Sequence, residues 1–220
     1  MSYTFQFRDV FAAWQFLVQG LGTTVYLSLV TMVLGLAIGV AGAAGRLYGP
    51  PPLRSAVAVY VEAIRNTPLL VQLFIVFFGL PSLGLRLDAR TAALISLTIN
   101  LGAYAIEIVR AGLQAVPRSQ VEAGDSLGLS GFQVFRYIVL VPSLKMMFPS
   151  LASQFILLML ATSITSQIAV PDLFHAASII QSRTFRDFEV YTVIGVLYLA
   201  MALGLRALFA LVYELAFRQR

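Results

Sequence analysis

Two acid–base pairs lie within stretches of the sequence that are otherwise apolar. Glu62 and Arg65 are three positions apart, and Glu107 and Arg110 repeat the same spacing. On a helix, this spacing brings both members of a pair to one face. Ionisable groups in apolar helices pair with one another or face the protein interior. We therefore predict two intrahelical ion pairs that hold helices together, with direct contact to a transported solute as the alternative role.

A second set of polar side chains could form hydrogen bonds to a polar solute. Thr67 and Gln72 flank Pro68, whose missing amide interrupts a helix. Thr162 and Ser163 begin a polar run inside a later apolar stretch. Broken helices mark transporter sites, although Ser and Thr also bond to their own backbone. These four side chains are the candidates for lining a solute pathway.

The chain lacks the residues for several other kinds of site. It has no cysteine and only one histidine, His175. Thiolate metal sites, multi-histidine metal sites and cysteine nucleophiles are therefore excluded, and we expect neither a metal site nor an enzyme. The sequence also contains no G-x-x-x-x-G-K-[ST] phosphate-binding loop, so the motif that binds ATP and Mg²⁺ is absent.

The composition places these residues in a membrane. Hydrophobic residues make up 59% of the 220 residues and charged residues 11%, and the mean hydropathy is +0.86. A soluble domain carries about 25% charged residues. The net charge of +5 is typical of a membrane protein with basic cytoplasmic loops, so we expect membrane lipid around the chain and no nucleic-acid partner.

The gaps between charged residues predict about five membrane-spanning helices, because one crossing needs about 20 apolar residues. No sustained period-two pattern indicates a β-barrel. We predict an all-α integral membrane protein with a single permease-type domain over residues 1–220. The predicted spans are 22–44, 56–80, 91–113, 149–170 and 190–213, with a polar connecting loop at 114–148.

The basic residues between the spans predict the orientation. With the N-terminus outside, the cytoplasmic segments contain seven basic residues and the outer segments contain five. Two of the seven, Arg218 and Arg220, belong to the C-terminal tail. This excess favours an outside N-terminus and a cytoplasmic C-terminus.

The polar loop contains signals for two short helices. Gly128 is suited to a left-handed helix end, and Pro142 is expected to disturb the second helix. Two short helices with a glycine elbow would form a rigid knob that could dock into another protein, and an ordinary interfacial loop is the alternative. Two pairs have capping-box spacing, Ser119 with Glu122 and Ser130 with Gln133.

This loop and the segments before it resemble bacterial ATP-binding-cassette importer permeases. Glu122-Ala123-Gly124, then Gly128, Ile138 and a proline near position 142 resemble the E-A-A-x₃-G-x₉-I-x-L-P loop of that family. Three further blocks look like those of the polar amino acid subgroup: GLGTTVYLS at 20–28, YVEAIRNTPLLVQLF at 60–74 and YAIEIVRAG at 104–112. The resemblance implies a type I importer permease whose cytoplasmic loop couples to ATPases through Gln120, Glu122, Ala123, Gly124 and Gly128.

The resemblance also implies a function and a set of partners. The chain would be the transmembrane subunit of an importer for polar amino acids or related compounds in the bacterial inner membrane, working by alternating access. It would act with a second permease, identical or homologous, with two ATPase subunits that bind ATP and Mg²⁺, and with a periplasmic or extracellular solute-binding protein. The chain itself would need no cofactor. A secondary transporter or channel that works without ATP is the alternative.

Two departures from the family pattern bear on function. Gly124 stands where the family has alanine, which would loosen a helix by about 1 kcal/mol. Leu160 and Ala161 stand where the family often has lysine and a polar or acidic residue. These uncharged side chains leave two possibilities, a solute pocket in this subunit or recognition by the partner permease.

Overall fold

The computed structural model describes residues 4–217, and that part of the chain is built from helices without strands. The predicted all-α fold class is therefore confirmed. The helices are α1 (Arg8–Ala12), α2 (Trp14–Tyr48), α3 (Pro51–Arg65), α4 (Leu69–Phe74), α5 (Ala89–Gln114), α6 (Arg118–Ser126), α7 (Gly131–Gln133), α8 (Leu140–Ala161), α9 (Leu173–Thr184) and α10 (Asp187–Phe217). The chain forms π-helical turns at Ile75–Gly79 and Val134–Val139, and 3-10 turns at Leu80–Leu83 and Thr162–Ile168.

Four helical stretches are long and apolar enough to cross a membrane: α2, α5, the continuous helix from Gly131 to Ile168, and α10. Helix α3 and the segment Leu69–Leu83 meet the same requirement only together, and the chain bends by 106° between them. If this bent pair is one span, the count is five. This count agrees with the number of spans expected from the sequence.

Helix α5 is the centre of the packing, between α2 on one side and α8 on the other. Glycines on α2 allow the close contact. A Cβ atom at Gly39 would lie 2.5 Å from the Cβ of Ala105, and one at Gly35 would meet the side chain of Leu101. Small residues at such crossings bring two backbones close enough for extensive van der Waals contact. In its most apolar stretch of 18 residues, the outermost helix α10 is only 6% buried.

Helix α9 closes the end of the bundle opposite the loop at 114–148, packing on α2 and α10. Asp172 caps it, because its Oδ1 accepts a hydrogen bond of 2.8 Å from the backbone N–H of His175. Leu173 and Ile180 of this helix join Leu17 of α2 in a buried apolar cluster.

The polar loop differs from the prediction in two places. Helix α6 begins after Pro117 with no side-chain cap, so the capping box predicted for Ser119 and Glu122 was wrong. The helix starts one residue before Ser119, which places this serine inside the first turn instead of at the cap. The second predicted capping box is confirmed, since Gln133 N–H donates to Ser130 Oγ and Ser130 N–H donates to Gln133 Oε1 at 2.8 Å.

The second loop helix is not a separate element. It runs without a break from Gly131 into the membrane span that ends at Ile168. Pro142 does not end this helix, but the turn before the proline is irregular, which agrees with the predicted disturbance. The proline ring would otherwise press on the carbonyl of Ile138, four residues earlier. That carbonyl lies in the wider π-helical turn Val134–Val139, which changes the local hydrogen-bond spacing and lets the helix continue.

Candidate functional site

One side-chain amide stabilises the break between α3 and α4. Pro68 has no N–H, so the carbonyl of Ile64, four residues earlier, loses its regular helical partner. Gln72 Nε2 donates to this carbonyl at 2.8 Å, and to the carbonyl and hydroxyl oxygens of Thr67 at 3.0 and 2.9 Å. Its Oε1 accepts a hydrogen bond of 3.0 Å from Asn100 of α5. The amide therefore replaces the missing backbone bond and ties the bend to α5.

The hydroxyl groups proposed to line a solute pathway are also bonded to their own chain. Thr67 Oγ1 donates to the carbonyl of Ala63 at 2.8 Å. Thr162 and Ser163 donate to the carbonyls of Met159 and Leu160 at 2.7 and 2.8 Å. Thr162 is completely buried. The solute-lining role of these residues and of Gln72 stays a prediction.

A polar groove of about 430 Å³ lies between the end of α3, the middle of α5 and the facing side of α8. Arg65, the last residue of α3, lies at one edge. Tyr104 and Glu107 lie one turn apart on α5, and Ser150 and Gln154 lie one turn apart on α8. Ser153 of α8 also lines the cavity, so three helices bring six polar side chains to it.

Of the two predicted ion pairs, the structure forms the one on α5. Arg110 Nε lies 3.3 and 3.2 Å from the two carboxylate oxygens of Glu107, and Arg46 of α2 approaches the same carboxylate at 3.7 Å. Arg110 also donates to Gln114 Oε1 at 2.6 Å. These contacts fix one side of the groove.

The predicted pair on α3 is replaced by other contacts. Glu62 Oε2 accepts a hydrogen bond of 2.9 Å from Asn66 Nδ2, which follows the end of α3. The guanidinium carbon of Arg65 lies 5.3 Å from the ring centre of Tyr104 on α5. Helix α3 ends at Arg65, so the backbone that follows brings Asn66 to Glu62, and Arg65 turns towards α5.

The surroundings of Glu107, at the edge of the groove, carry an excess of positive charge. Arg46, Arg65 and Arg110 all lie close enough to Glu107 to interact with its charge. One carboxylate therefore faces three guanidinium groups. Positively charged side chains at membrane depth attract anionic groups because little water screens them.

The loop residues predicted to couple to an ATPase form a rigid, exposed surface. Gln120, Glu122 and Ala123 are exposed on α6, whereas Gly124 is buried. A Cβ atom at Gly124 would lie 3.2 Å from Val134 Cγ2 and would collide with Ile138 Cδ1, so glycine lets α6 pack against the π-helical turn. Alanine, the residue of the family pattern, would require the end of the Ile138 side chain to move.

The end of α6 has the conformation expected from the sequence. Gly128 has φ +76°, which confirms the left-handed helix end. Beside it, Leu127 and Phe132 are 80% and 76% exposed on an otherwise polar loop. Large apolar side chains in such positions are typical of a contact surface for another protein.

Sequence reasoning missed four polar members of the groove, namely Tyr104, Ser150, Ser153 and Gln154. A signal was present for two of them, since Ser150 and Gln154 are four positions apart in an apolar helix and therefore share a face. Tyr104 carried no such signal, because its role depends on the position of Arg65 on another helix.

Comparison with known proteins agrees with this arrangement. Residues 31–218 match the family described as binding-protein-dependent transport system inner membrane component. The chain is 35% identical to the probable amino-acid ABC transporter permease YckA of Bacillus subtilis, over 91% of this chain and 88% of that protein. It is 33% identical to the glutamine transport system permease GlnP of Escherichia coli K12, over 91% and 93% of the two chains.

Solved structures show the same fold. The crystal structure of an amino acid ABC transporter with histidines contains a chain with 35% identity and a TM-score of 0.90, covering 96% of this chain and 99% of that one. An inward-facing structure of the methionine transporter MetNI, at 17% identity and a TM-score of 0.77, shares the fold. Together with the exposed loop and the bent-helix bundle, these matches show that the chain belongs to the family of binding-protein-dependent inner membrane components, the membrane-spanning permease subunits of ATP-binding-cassette importers.

Proposed function

We propose that this chain imports polar amino acids or closely related compounds. The observation that carries the proposal is the loop knob, defined as α6 and the following residues to Gln133. It combines a buried packing contact at Gly124, a left-handed glycine at 128 and exposed Leu127 and Phe132. The choice of amino acids is supported by relatives named as glutamine, cystine and amino-acid permeases.

The partners follow from the same reasoning. A second permease, identical or homologous, would complete the pathway, and two ATPase subunits would dock on the loop knobs. A solute-binding protein would deliver the amino acid from the outer side. ATP and Mg²⁺ would be bound by the ATPases, so this chain needs no cofactor of its own.

The loop knob offers a direct route for coupling. Helix α6 packs on Val134 and Ile138, which belong to the helix that continues to Ile168 as a membrane span. A displacement of α6 by a moving ATPase would therefore move one wall of the polar groove, which Ser150 and Gln154 line. Rigid-body movement of a packed element is a common way to switch the side on which a pathway opens.

The proposed orientation places the loop knob in the cytoplasm and the N-terminus outside. Arg118, Arg136 and Lys145 in this region support it. Arg218 and Arg220, which also entered the charge argument, lie outside the described residues. Single cysteines at Ser130 and at Ser182 near the end of α9 test it on this cysteine-free chain. In intact cells an impermeant thiol reagent should label Ser182→Cys only. Labelling of Ser130→Cys would show the opposite orientation.

The coupling role is tested at the glycine elbow. Gly128→Asp forces a side chain into a left-handed conformation at a cost of about 1–3 kcal/mol and should distort the loop knob. Gly84→Asp is the matched control, because Gly84 also has a positive φ but follows the turn Leu80–Leu83, outside the loop knob. Glu122→Lys reverses a charge on the exposed face of α6.

Both loop variants should insert normally but show reduced ATPase co-purification or reduced uptake into proteoliposomes with the binding protein present. The Gly84→Asp control should retain both properties. Normal uptake by a fully assembled Gly128→Asp complex, together with normal uptake by Glu122→Lys, would remove the coupling role from the loop knob.

A further inference from the structure

Five aromatic side chains lie exposed at the end of the bundle opposite the loop knob. They belong to the N-terminal residues up to the start of α2, and to the start of α10 and the turn before it. Each is between 45% and 79% exposed. These residues, named the aromatic rim, are Phe5, Phe11, Trp14, Phe185 and Phe188. Large apolar rings left uncovered at one end of a chain are typical of a surface that contacts something else.

The aromatic rim lies at the level where two membrane spans begin. Charge-free stretches start at Val10 and at Val190, directly after charged residues, and run to positions 45 and 205. Val10 and Val190 belong to one buried apolar cluster, so the two stretches start at the same level of the bundle. A change from charged residues to a long apolar run marks the boundary between the hydrocarbon core and the headgroups. The rim residues therefore lie at this boundary.

The rim is also continuous with the exposed sides of the two spans. Trp14 and Phe188 each lie on a helix face that exposes further apolar side chains, which are Val18, Val25 and Leu29 on α2, and Leu199 and Leu203 on α10. On a helix, these spacings place the side chains on the same side as the aromatic ring. The rim therefore extends the apolar surface that both spans present to the bilayer.

A buried carboxylate holds the N-terminal segment on α10. Glu189, in the first turn of α10, is completely buried, and its Oε1 accepts a hydrogen bond of 2.9 Å from the backbone N–H of Gln6. Arg186 donates to Gln6 Oε1 at 2.9 Å and to the carbonyl of Thr4 at 3.3 Å. Phe5 lies between these two residues, and its ring centre is 5.2 Å from that of Phe188. This polar latch fixes the backbone of the segment while the aromatic rings stay on the outside.

The turn between α9 and α10 holds an exposed ring in an unfavourable backbone conformation. Phe185 has φ +55°, and its side chain is 79% exposed. Glycine is the usual residue at such a left-handed helix end, because it has no Cβ atom. Packing within the described chain does not offset the strain at Phe185, since the ring gains little burial there. A contact of this ring outside the chain accounts for its presence.

The chemistry of the rim fits phospholipid better than a charged protein surface. Aromatic side chains are favoured at the membrane–water interface, where their rings sit at the level of the headgroups. The segments 5–14 and 183–189 carry three basic and three acidic side chains, so they have no net charge to attract a charged partner. The six are Arg8, Asp9, Arg183, Arg186, Asp187 and Glu189.

We propose that the aromatic rim lies in the headgroup layer of the bilayer, at the membrane surface nearest the N-terminus, and that the polar latch holds the N-terminal part of the rim there. The partner of this surface is phospholipid. Such an anchor fixes the end of α9 and the start of α10 at the membrane surface. The inference goes beyond the proposed function, because it holds for any transported solute.

Trp14 tests the inference without any substitution in the rim, because it is the only tryptophan in the chain. The full-length protein is reconstituted in phosphatidylcholine vesicles whose acyl chains carry bromine either close to the headgroup or close to the methyl end. Bromine close to the headgroup should quench the fluorescence of Trp14 more strongly than bromine close to the methyl end. Acrylamide in the aqueous phase should quench it only weakly. The Trp14→Phe protein supplies the background signal.

Two exposed positions elsewhere provide matched controls, each tested in a Trp14→Phe background. Phe132 is an exposed aromatic residue of the loop knob, and Leu199 is exposed near the middle of α10. Acrylamide should quench Phe132→Trp several-fold more than Trp14, with little quenching by bromine at either depth. Leu199→Trp should be quenched most by bromine close to the methyl end. Equal acrylamide quenching of Trp14 and Phe132→Trp would show that the rim faces water, and the inference would be overturned.

A protein partner at the rim would give different results. Weak quenching by acrylamide without quenching by bromine would place Trp14 against a second permease copy, and the inference would be wrong. Strong quenching by acrylamide that falls when the solute-binding protein is added would assign the rim to that protein and would equally overturn the lipid contact.

The latch is tested separately at Phe5. In a protein with Phe5→Trp and Trp14→Phe, bromine close to the headgroup should again quench more strongly than bromine close to the methyl end. Adding Arg186→Gln should release the N-terminal segment and raise quenching by acrylamide several-fold. Arg183→Gln is the matched control, because it removes the same charge from the end of α9 without touching the latch. Equal quenching with and without Arg186→Gln would show that the latch does not hold the segment, and this part of the inference would be wrong.

Discussion

The helix break at Pro68 and the polar groove contain similar polar residues that lie close together in the chain. The side chain at the break has its hydrogen-bonding capacity filled, whereas those in the groove do not. At the break, the amide of Gln72 is occupied by Ile64, Thr67 and Asn100. In the polar groove, Arg65 is the last residue of α3 before the break, and its guanidinium stacks on the ring of Tyr104. Both regions lie at membrane depth, where an unsatisfied polar group is costly.

The difference between these two regions shows that residue type alone does not identify a solute-binding site in a membrane helix. A proline that interrupts a span leaves a carbonyl without its partner, and a nearby amide or hydroxyl can replace that partner. Such a side chain is polar, buried and near a break, as a binding residue would be. The distinguishing property is the hydrogen-bonding capacity that remains after the backbone has been satisfied.

The largest effect should come from Gln72→Ala. This change removes the hydrogen bond of 2.8 Å to the carbonyl of Ile64 and leaves the amide of Asn100 without its partner, at a cost of about 1–3 kcal/mol. The thermal midpoint of the solubilised complex should fall clearly, with unchanged preference among transported amino acids. Gln167→Ala is the control, because Gln167 is an exposed amide. Unchanged stability with altered preference would move Gln72 into the solute pathway and reverse the comparison.

Glu107→Gln should have the next largest effect. It removes the carboxylate that Arg46 and Arg110 share, and we expect a loss of about 1–2 kcal/mol because the pair is partly exposed. The thermal midpoint of the solubilised complex should fall, but by less than in Gln72→Ala. An unchanged thermal midpoint in Glu107→Gln would mean that these ion pairs contribute no stability.

Asp172 provides a case between the two regions, since one oxygen caps α9 and the other, buried, lacks a partner in the described chain. Burial raises the pKa of its carboxyl group to about 7. Tyr198 of α10 lies near it, and Arg90 of α5 and Asp172 line one small cavity. The folded protein therefore holds this proton more tightly than the unfolded chain, in which an Asp titrates near pH ~3.9.

The sign of the pH effect follows from this difference. The proton on Asp172 contributes fully to the free energy of unfolding below about pH 4. This contribution is lost as the pH rises towards 7, because the carboxyl group must then ionise at a buried site. The thermal midpoint of wild type should fall between pH 5 and 8 more than that of Asp172→Asn. Parallel pH profiles for the two proteins would mean that the carboxyl group is solvated.

Some of these features could be predicted from the sequence because they depend on local patterns. Pro68 marked the break, Gly128 marked a left-handed helix end, and the spacing of Ser130 and Gln133 marked a cap. Apolar length alone indicated the spans. Each of these signals depends on residues within about one or two turns of each other, where spacing determines geometry.

Other features required distant residues to meet, and the sequence could not supply them. The stacking of Arg65 on Tyr104 joins two helices, and Glu62 found a partner in Asn66 only because α3 ends there. The helix that contains Pro142 continues through a π-helical turn at Val134–Val139, which no local motif in the sequence marked. Gly124 looked like a loss of helix propensity, but it permits close packing of α6 on that turn.

The smallest predicted effect separates two serines on the same continuous helix. Ser163 donates to the carbonyl of Leu160, whereas Ser150 lines the groove and has no hydrogen bond within residues 4–217. Ser150→Ala should raise the KM for uptake of a transported amino acid up to about tenfold, the effect of about 0.5–1.5 kcal/mol for one hydrogen bond. Ser163→Ala should change it much less, because its hydroxyl already bonds to its own helix. The reverse order would place the solute nearer Thr162 and Ser163, as the sequence first indicated, and would make the groove at Arg65 a structural feature.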